Sequence, residues 1–135
     1  MKRRRTAPLE AKSRLWLERD GVPVYGDGKH EWLEMIAETG SLRATAEELG
    51  MSYRGLWGRI REMEKRLGVP LVTRHRGGSE GGGTELTPEA QALAAAYGRF
   101  RAGLDALLAR RSEALKTLDR ATRPTGRHRR AKRPR

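Results

Sequence analysis

Arg54, Gly58, Arg61 and Lys65 follow one another at intervals of four, three and four residues, the repeat of a single helix face. Three cations around a position without a side chain can lie along an anionic surface. A glycine inside a helix costs about 1 kcal/mol relative to alanine, and close approach to a partner is one way to offset that cost. Arginine near the start of a helix in a major groove can donate two parallel bonds to guanine, and Arg54 has that position. Ser52 and Tyr53 just ahead of it carry hydroxyls within reach of a phosphate or a base edge, while Ser52 is also of the helix-capping type. Arg61 and Lys65 lie further along and suit phosphate, which positions without specifying. No i,i+4 ion pair within the row accounts for it, although Glu62 and Glu64 soften its charge. Trp57, on the flank of the face, reads as packing rather than as a base contact.

A second cluster is the segment "RHRGGSEGGGTELT" at Arg74–Thr87, with five glycines in seven residues. Gly77 and Gly82 have the spacing of a phosphate-binding loop, but Gly83 and Thr84 stand where such a loop needs Lys followed by Ser or Thr. A dinucleotide fingerprint fails as well, because its surroundings should alternate strand and helix. Strand-like runs, "VPLVTRHR" and "TEL", flank the glycines, which makes the segment a hairpin. Arg74 and Arg76 fall on its stem. Gly77 and Gly78 lead into a tip bare enough to enter or skirt a minor groove.

Other chemistries find little support. There is no cysteine, the three histidines (His30, His75, His128) are scattered, and the acids are spread along helix surfaces. No spacing suits metal ligation, no nucleophile motif is present, and neither an enzyme nor a cofactor is expected. The opening "MKRRRTAPLEAK" has no apolar run behind it and no stretch reaches membrane-spanning length, so the expected location is cytoplasmic, with the nucleoid.

The net charge of +12 is unevenly placed. Residues 1–12 hold five Lys/Arg against one acid, and residues 121–135 hold seven and none. Between these arms the chain is nearly neutral but polarised: residues 14–50 carry four basic and eight acidic side chains, residues 54–76 seven and two. Two disordered basic arms seeking a polyanion fit this pattern.

The elements that must hold these clusters follow from local rules. Leu15 and Leu17 alternate around Trp16 up to Asp20-Gly21, a two-residue hairpin turn. Val22–Tyr25 returns, and Pro23 confines that strand to an edge. "KHEWLEMIAETG" puts Trp32, Leu33 and Ile36 on one helical face and stops at Gly40. Ser41 caps a short second helix with Leu42, Ala46 and Leu49 inward. Gly50 ends it, and Ser52 caps a third helix with Leu56, Ile60, Met63 and Leu67 inward, ended by Gly68. Two helices joined by a turn of about three residues make a helix-turn-helix. Ser41, Arg43 and Thr45, at the start of its first helix, join the candidate DNA contacts. Thr87-Pro88-Glu89 starts a further helix. This helix is expected to run to about Leu118, roughly 45 Å at 1.5 Å per residue. Its Leu93, Tyr97, Phe100, Leu104 and Leu107 form a 4-3-4-3 seam suited to a second copy.

"TGSLRATAEELGMSYRGLWGRIREME" followed by "PLVTRHRGGSEGGGTELTPEA" resembles the N-terminal winged-helix domain of the ModE family of molybdate-responsive regulators. The specific parts are S-Y-R-x-x-W-x-x-I at Ser52–Ile60 and the glycine wing at Arg74–Thr87. The LysR-type regulators share the "TGS" and "LG" outline but lack the tryptophan and the polyglycine wing. The resemblance implies a homodimer on double-stranded DNA, reading a roughly palindromic operator near genes of molybdenum homeostasis. The resemblance implies a separate β-rich domain for the oxyanion in that family; none is expected here, so sensing is expected from a separate chain or not at all. The expected fold is mostly α with small β-hairpins, a winged helix-turn-helix with a long C-terminal dimerisation helix. Its parts are a basic arm (1–12), the DNA-binding domain (13–86), the dimerisation helix (87–120) and a basic tail (121–135). An architectural, nucleoid-type protein acting through its arms is the alternative.

Overall fold

A computed structural model describes residues 6–78 and 81–124. The elements are β1 (Trp16–Arg19), β2 (Val22–Gly26), α1 (Asp27–Thr39), α2 (Leu42–Leu49), α3 (Tyr53–Leu67), β3 (Val72–Gly78), β4 (Gly81–Leu86), α4 (Pro88–Arg110) and α5 (Ser112–Thr122). They fall into two compact units, one of residues 14–103 and one of residues 1–13 with 104–135. The mostly helical architecture with two small antiparallel hairpins matches the sequence expectation. No helix among the described residues is long and apolar enough to cross a membrane.

In the larger unit β1 and β2 pair antiparallel around Asp20 and Gly21, both with positive φ (51° and 75°), the turn whose twist suits a two-residue hairpin. α1 starts at Asp27, two residues before the Lys29 beginning read from the sequence, because the Asp27 backbone N–H donates to Leu15 O at 3.0 Å and ties the helix to the hairpin. Ser41 Oγ accepts from Ala44 N (3.1 Å) and Ser52 Oγ from Gly55 N (3.0 Å), so both expected caps are formed. Gly50, left-handed at φ 67°, turns the chain from α2 towards α3.

The core of this unit is Tyr25, Leu33, Ile36, Leu42, Ala46, Leu56, Ile60, Met63, Leu71, Ala90 and Tyr97. The inward stripe of α3 is as read from its period, with Leu56, Ile60 and Met63 buried and Leu67 half-buried. The wing is closed at its base. Glu64 Oε2 accepts from Leu71 N (2.8 Å), Thr87 N donates to Leu71 O (2.9 Å), and Thr87 Oγ1 donates to Pro70 O (2.7 Å). β4 leans on the α1–α2 turn through Thr84 N donating to Gly40 O at 2.8 Å.

Two expectations for the C-terminal helix change. The helix is interrupted at Arg111, whose N–H is shared between Leu107 O and Leu108 O (3.1 and 3.2 Å) before α5 begins. The seam also divides. Tyr97 is buried and Leu93 packs on the same core, so both are used by the chain's own fold, whereas Phe100 is 61% and Leu107 47% exposed and Leu104 is half-buried. In the smaller unit no α5 residue is buried, and Asp119 accepts from Leu9 N and from the Arg123 guanidinium.

Tyr97 closes a polar clasp. Its hydroxyl donates to Asp27 and lies 3.1 Å from Leu15 O, Asp27 Oδ2 accepts from Leu15 N (3.1 Å), and Arg101 Nε stands 3.7 Å from the same carboxylate. Burial first, then the bond to Asp27, pushes the Tyr97 hydroxyl well above the ordinary phenol range. The Tyr97 hydrogen bond first, then the Leu15 N–H and the Arg101 charge, holds the Asp27 carboxyl below its usual value. A carboxyl lowered on folding contributes stability that is present above its unfolded pKa and is lost as pH falls through the folded one. Urea melts of Asp27→Asn and wild type should therefore differ near neutrality and converge between about pH 5 and pH 2. A constant gap over that range would show that the carboxylate charge is irrelevant.

Candidate nucleic-acid interface

α3 presents two opposed faces. Opposite the buried stripe, Arg54, Gly58, Arg61 and Lys65 are all exposed. A Cβ built at Gly58 would meet nothing within 4 Å, so the fold of this chain gives no reason for glycine there. Gly55 differs: its Cβ would sit 2.9 Å from the capping Ser52 Oγ.

The wing stem lies against the same helix. The Arg74 guanidinium, from β3, is 5.1 Å from the Trp57 ring centre and 5.7 Å from that of Tyr53, and it donates to the Tyr53 hydroxyl. Arg61 stacks on Trp57 at 4.6 Å, and Arg43, from α2, on Tyr53 at 5.2 Å. Three guanidiniums from three elements thus rest on two aromatic rings of α3, each contact of the cation–π kind. Trp57 packs half-buried on the core as the sequence reading had it, but that reading did not find the platform of Trp57 and Tyr53 on which the guanidiniums rest. Their i,i+4 spacing beside the basic row was the signal that could have found it.

The other candidates are placed unevenly. Ser52 is exposed and Ser41 half-buried, each already accepting a bond as a cap. Thr45 is a correction: it is fully buried, with Oγ1 bonded to Ser41 O (2.8 Å) and Thr39 Oγ1 (2.9 Å), and cannot reach a ligand. Arg76 is exposed on β3, whose strand continues through Gly77 to Gly78, paired with Gly81. The tip at Ser79 and Glu80 and the arms at 1–5 and 125–135 lie outside the described residues. The basic row is also less free of intrahelical pairing than its spacing implied, since Arg61 Nη1 comes within 3.8 Å of Glu64 Oε1. At such distance and exposure the pair is worth little, and Glu64 is engaged by the wing through its other oxygen. Among the described residues no group of three His, Cys, Asp or Glu could hold a metal ion.

Two helices joined through Gly50, Met51 and Ser52, the second showing a cationic row to solvent and carrying a hairpin beside it, make a DNA-binding winged helix-turn-helix domain. Residues 29–91 match the family described as bacterial regulatory helix-turn-helix protein, lysR family. The chain carries a LysR-type helix-turn-helix domain, homologous to the N-terminal regions of ModE and Mop proteins. It is 42% identical over 92 residues to the molybdenum-pterin-binding protein MopB of Rhodobacter capsulatus, covering 68% of this chain and 34% of that one. It is 33% identical over 103 residues to the molybdenum transport protein ModE of Azotobacter vinelandii, covering 76% and 38%. With the DNA-binding transcriptional dual regulator ModE of Escherichia coli it shares 40% identity over 65 residues, covering 48% and 25%. The chain thus matches about a third of the length of the first two relatives.

Proposed function

We propose that the chain is the DNA-reading part of a ModE-type transcriptional regulator, acting as a homodimer on a roughly palindromic operator. Helix α3 lies in the major groove with Arg54 over base edges, Arg61 and Lys65 meet phosphate, and the wing runs alongside. The observation that carries this reading is the exposed Arg54–Gly58–Arg61–Lys65 row with the wing's Arg74 laid on the same helix. The bare Gly58 surface supports it, since a groove wall can come closer to glycine than to any other residue. Exposed Phe100 on α4 supports pairing with a second copy, which sets half-sites about one helical turn apart. The relatives are named for molybdenum transport and molybdenum-pterin binding, so molybdenum-related genes are the proposed targets. Oxyanion sensing is assigned to residues other than these.

Selection of bound duplexes from a random pool with the purified chain tests the reading, repeated with molybdate and with tungstate. One enriched palindrome, insensitive to either oxyanion, is expected. Uniform recovery of sequences, lost when residues 1–12 and 121–135 are deleted, would favour the architectural alternative in which the basic arms do the binding.

A further inference from the structure

Beside the recognition row, a separate polar cleft of about 310 Å³ opens where the start of α2, the start of α3 and the wing stem meet. Ser41, Arg43 and Tyr53 line it from the helices and Arg74, His75, Gly83 and Thr84 from the wing. Its charges are out of balance. Among the described residues neither Arg43 nor Arg74 has a carboxylate within 4.0 Å, and Glu85, beside the cleft on β4, is paired with His75 at 3.2 Å. Both guanidiniums nevertheless lean on the one ring of Tyr53, at 5.2 and 5.7 Å. Two like charges lining one cleft without a counterion are unfavourable, and the ring's negative face offsets only part of it. Tyr53 accepts from Arg74, which leaves its own O–H proton to donate outward.

The geometry points to a seat for one DNA backbone phosphate in this cleft, held by Arg43 and Arg74 with the Tyr53 hydroxyl as a third donor. The inference rests on the DNA-reading function proposed above and adds a site distinct from the outward row of α3. A phosphate there touches α2, α3 and the wing together, so one contact fixes the hairpin's angle to the recognition helix. Two guanidiniums and a hydroxyl lining one cleft suit the tetrahedral acceptor of a phosphodiester, and contacts of this kind set register without reading sequence.

The test uses the whole chain and the duplex it enriches from a random pool, with each phosphate in turn replaced by a neutral methylphosphonate. One linkage per half-site is expected to weaken wild-type binding about tenfold. In Arg74→Gln, and independently in Arg43→Gln, that same replacement should cost less than about twofold, while the other sensitive linkages keep their effect. Two substitutions are used because Arg74 also bonds Tyr53 and Arg43 does not. A linkage profile identical in wild type and both variants overturns the inference and leaves the DNA-reading proposal standing. Failure to enrich any duplex fails that proposal instead. Saturable quenching of tryptophan fluorescence by inorganic phosphate without DNA, abolished in Arg74→Gln, would reassign the cleft to a free oxyanion and overturn its DNA role.

Discussion

Replacing Arg54, Arg61 and Lys65 together by glutamine is expected to leave the fold intact and to lower affinity for the selected duplex at least about 100-fold. All three side chains are exposed and none contributes to the core, so thermal unfolding should barely move. The loss should split by role. Every one of these cations that neutralises a phosphate flattens the dependence of log K on log salt by about 0.9. A cation that reads a base edge changes the preferred sequence and costs about 1–3 kcal/mol at its position. Arg54→Gln alone is thus expected to relax one base position, and Lys65→Gln to weaken all sequences alike. Fluorescence anisotropy at several salt concentrations measures both effects. If the triple variant still bound the selected duplex with undiminished affinity, α3 would not be the reading helix.

The opposite face of that helix gives the second large effect. Ile60 is fully buried and belongs to the cluster formed by α1, α2, α3 and the first turns of α4. Ile60→Ala removes three carbons from the middle of that cluster, and substitutions of this kind cost about 2–5 kcal/mol. Domains of this size have only about 5–15 kcal/mol in total, so the urea midpoint should fall steeply. The contrast is Gly58→Ala, two residues away. A methyl group there meets nothing, and removing a mid-helix glycine should stabilise the free protein by about 0.5–1 kcal/mol. If the groove wall packs against that position, the same substitution weakens DNA binding. Urea melts and anisotropy on the two variants separate the faces, and equal destabilisation by both would contradict the burial pattern of α3.

Much of this architecture is legible in the sequence because its signals are local. A serine ahead of each helix of the helix-turn-helix and a glycine behind it act within a few residues, and the observed ends at Leu49, Tyr53 and Leu67 follow them. The 4-3-4 row on α3 is equally local, and its exposure follows from burying Leu56, Ile60 and Met63 opposite. The readings that moved depend on contacts remote in sequence. A 4-3-4-3 seam does not say whether its partner is another chain or the same one, and Tyr97 turns inward because Leu15 O and Asp27 await its hydroxyl. Thr45 has the polarity of a contact residue, yet Ser41 O and Thr39 supply what its hydroxyl needs in the interior. The aromatic platform was hidden for the same reason: Arg74 is 21 residues from Tyr53, and only the returning wing brings them together.

The Tyr97 clasp also sets an order of events. The hydroxyl that holds the opening hairpin to α1 belongs to a residue 82 positions downstream of Leu15. During synthesis α2, α3 and the wing are made before that tie can form, and until α4 arrives the Leu15–Asp27 bonds hold the hairpin to α1 without it. A chain made only as far as Thr87 would contain every residue proposed above to touch DNA and still lack the latch that finishes its domain.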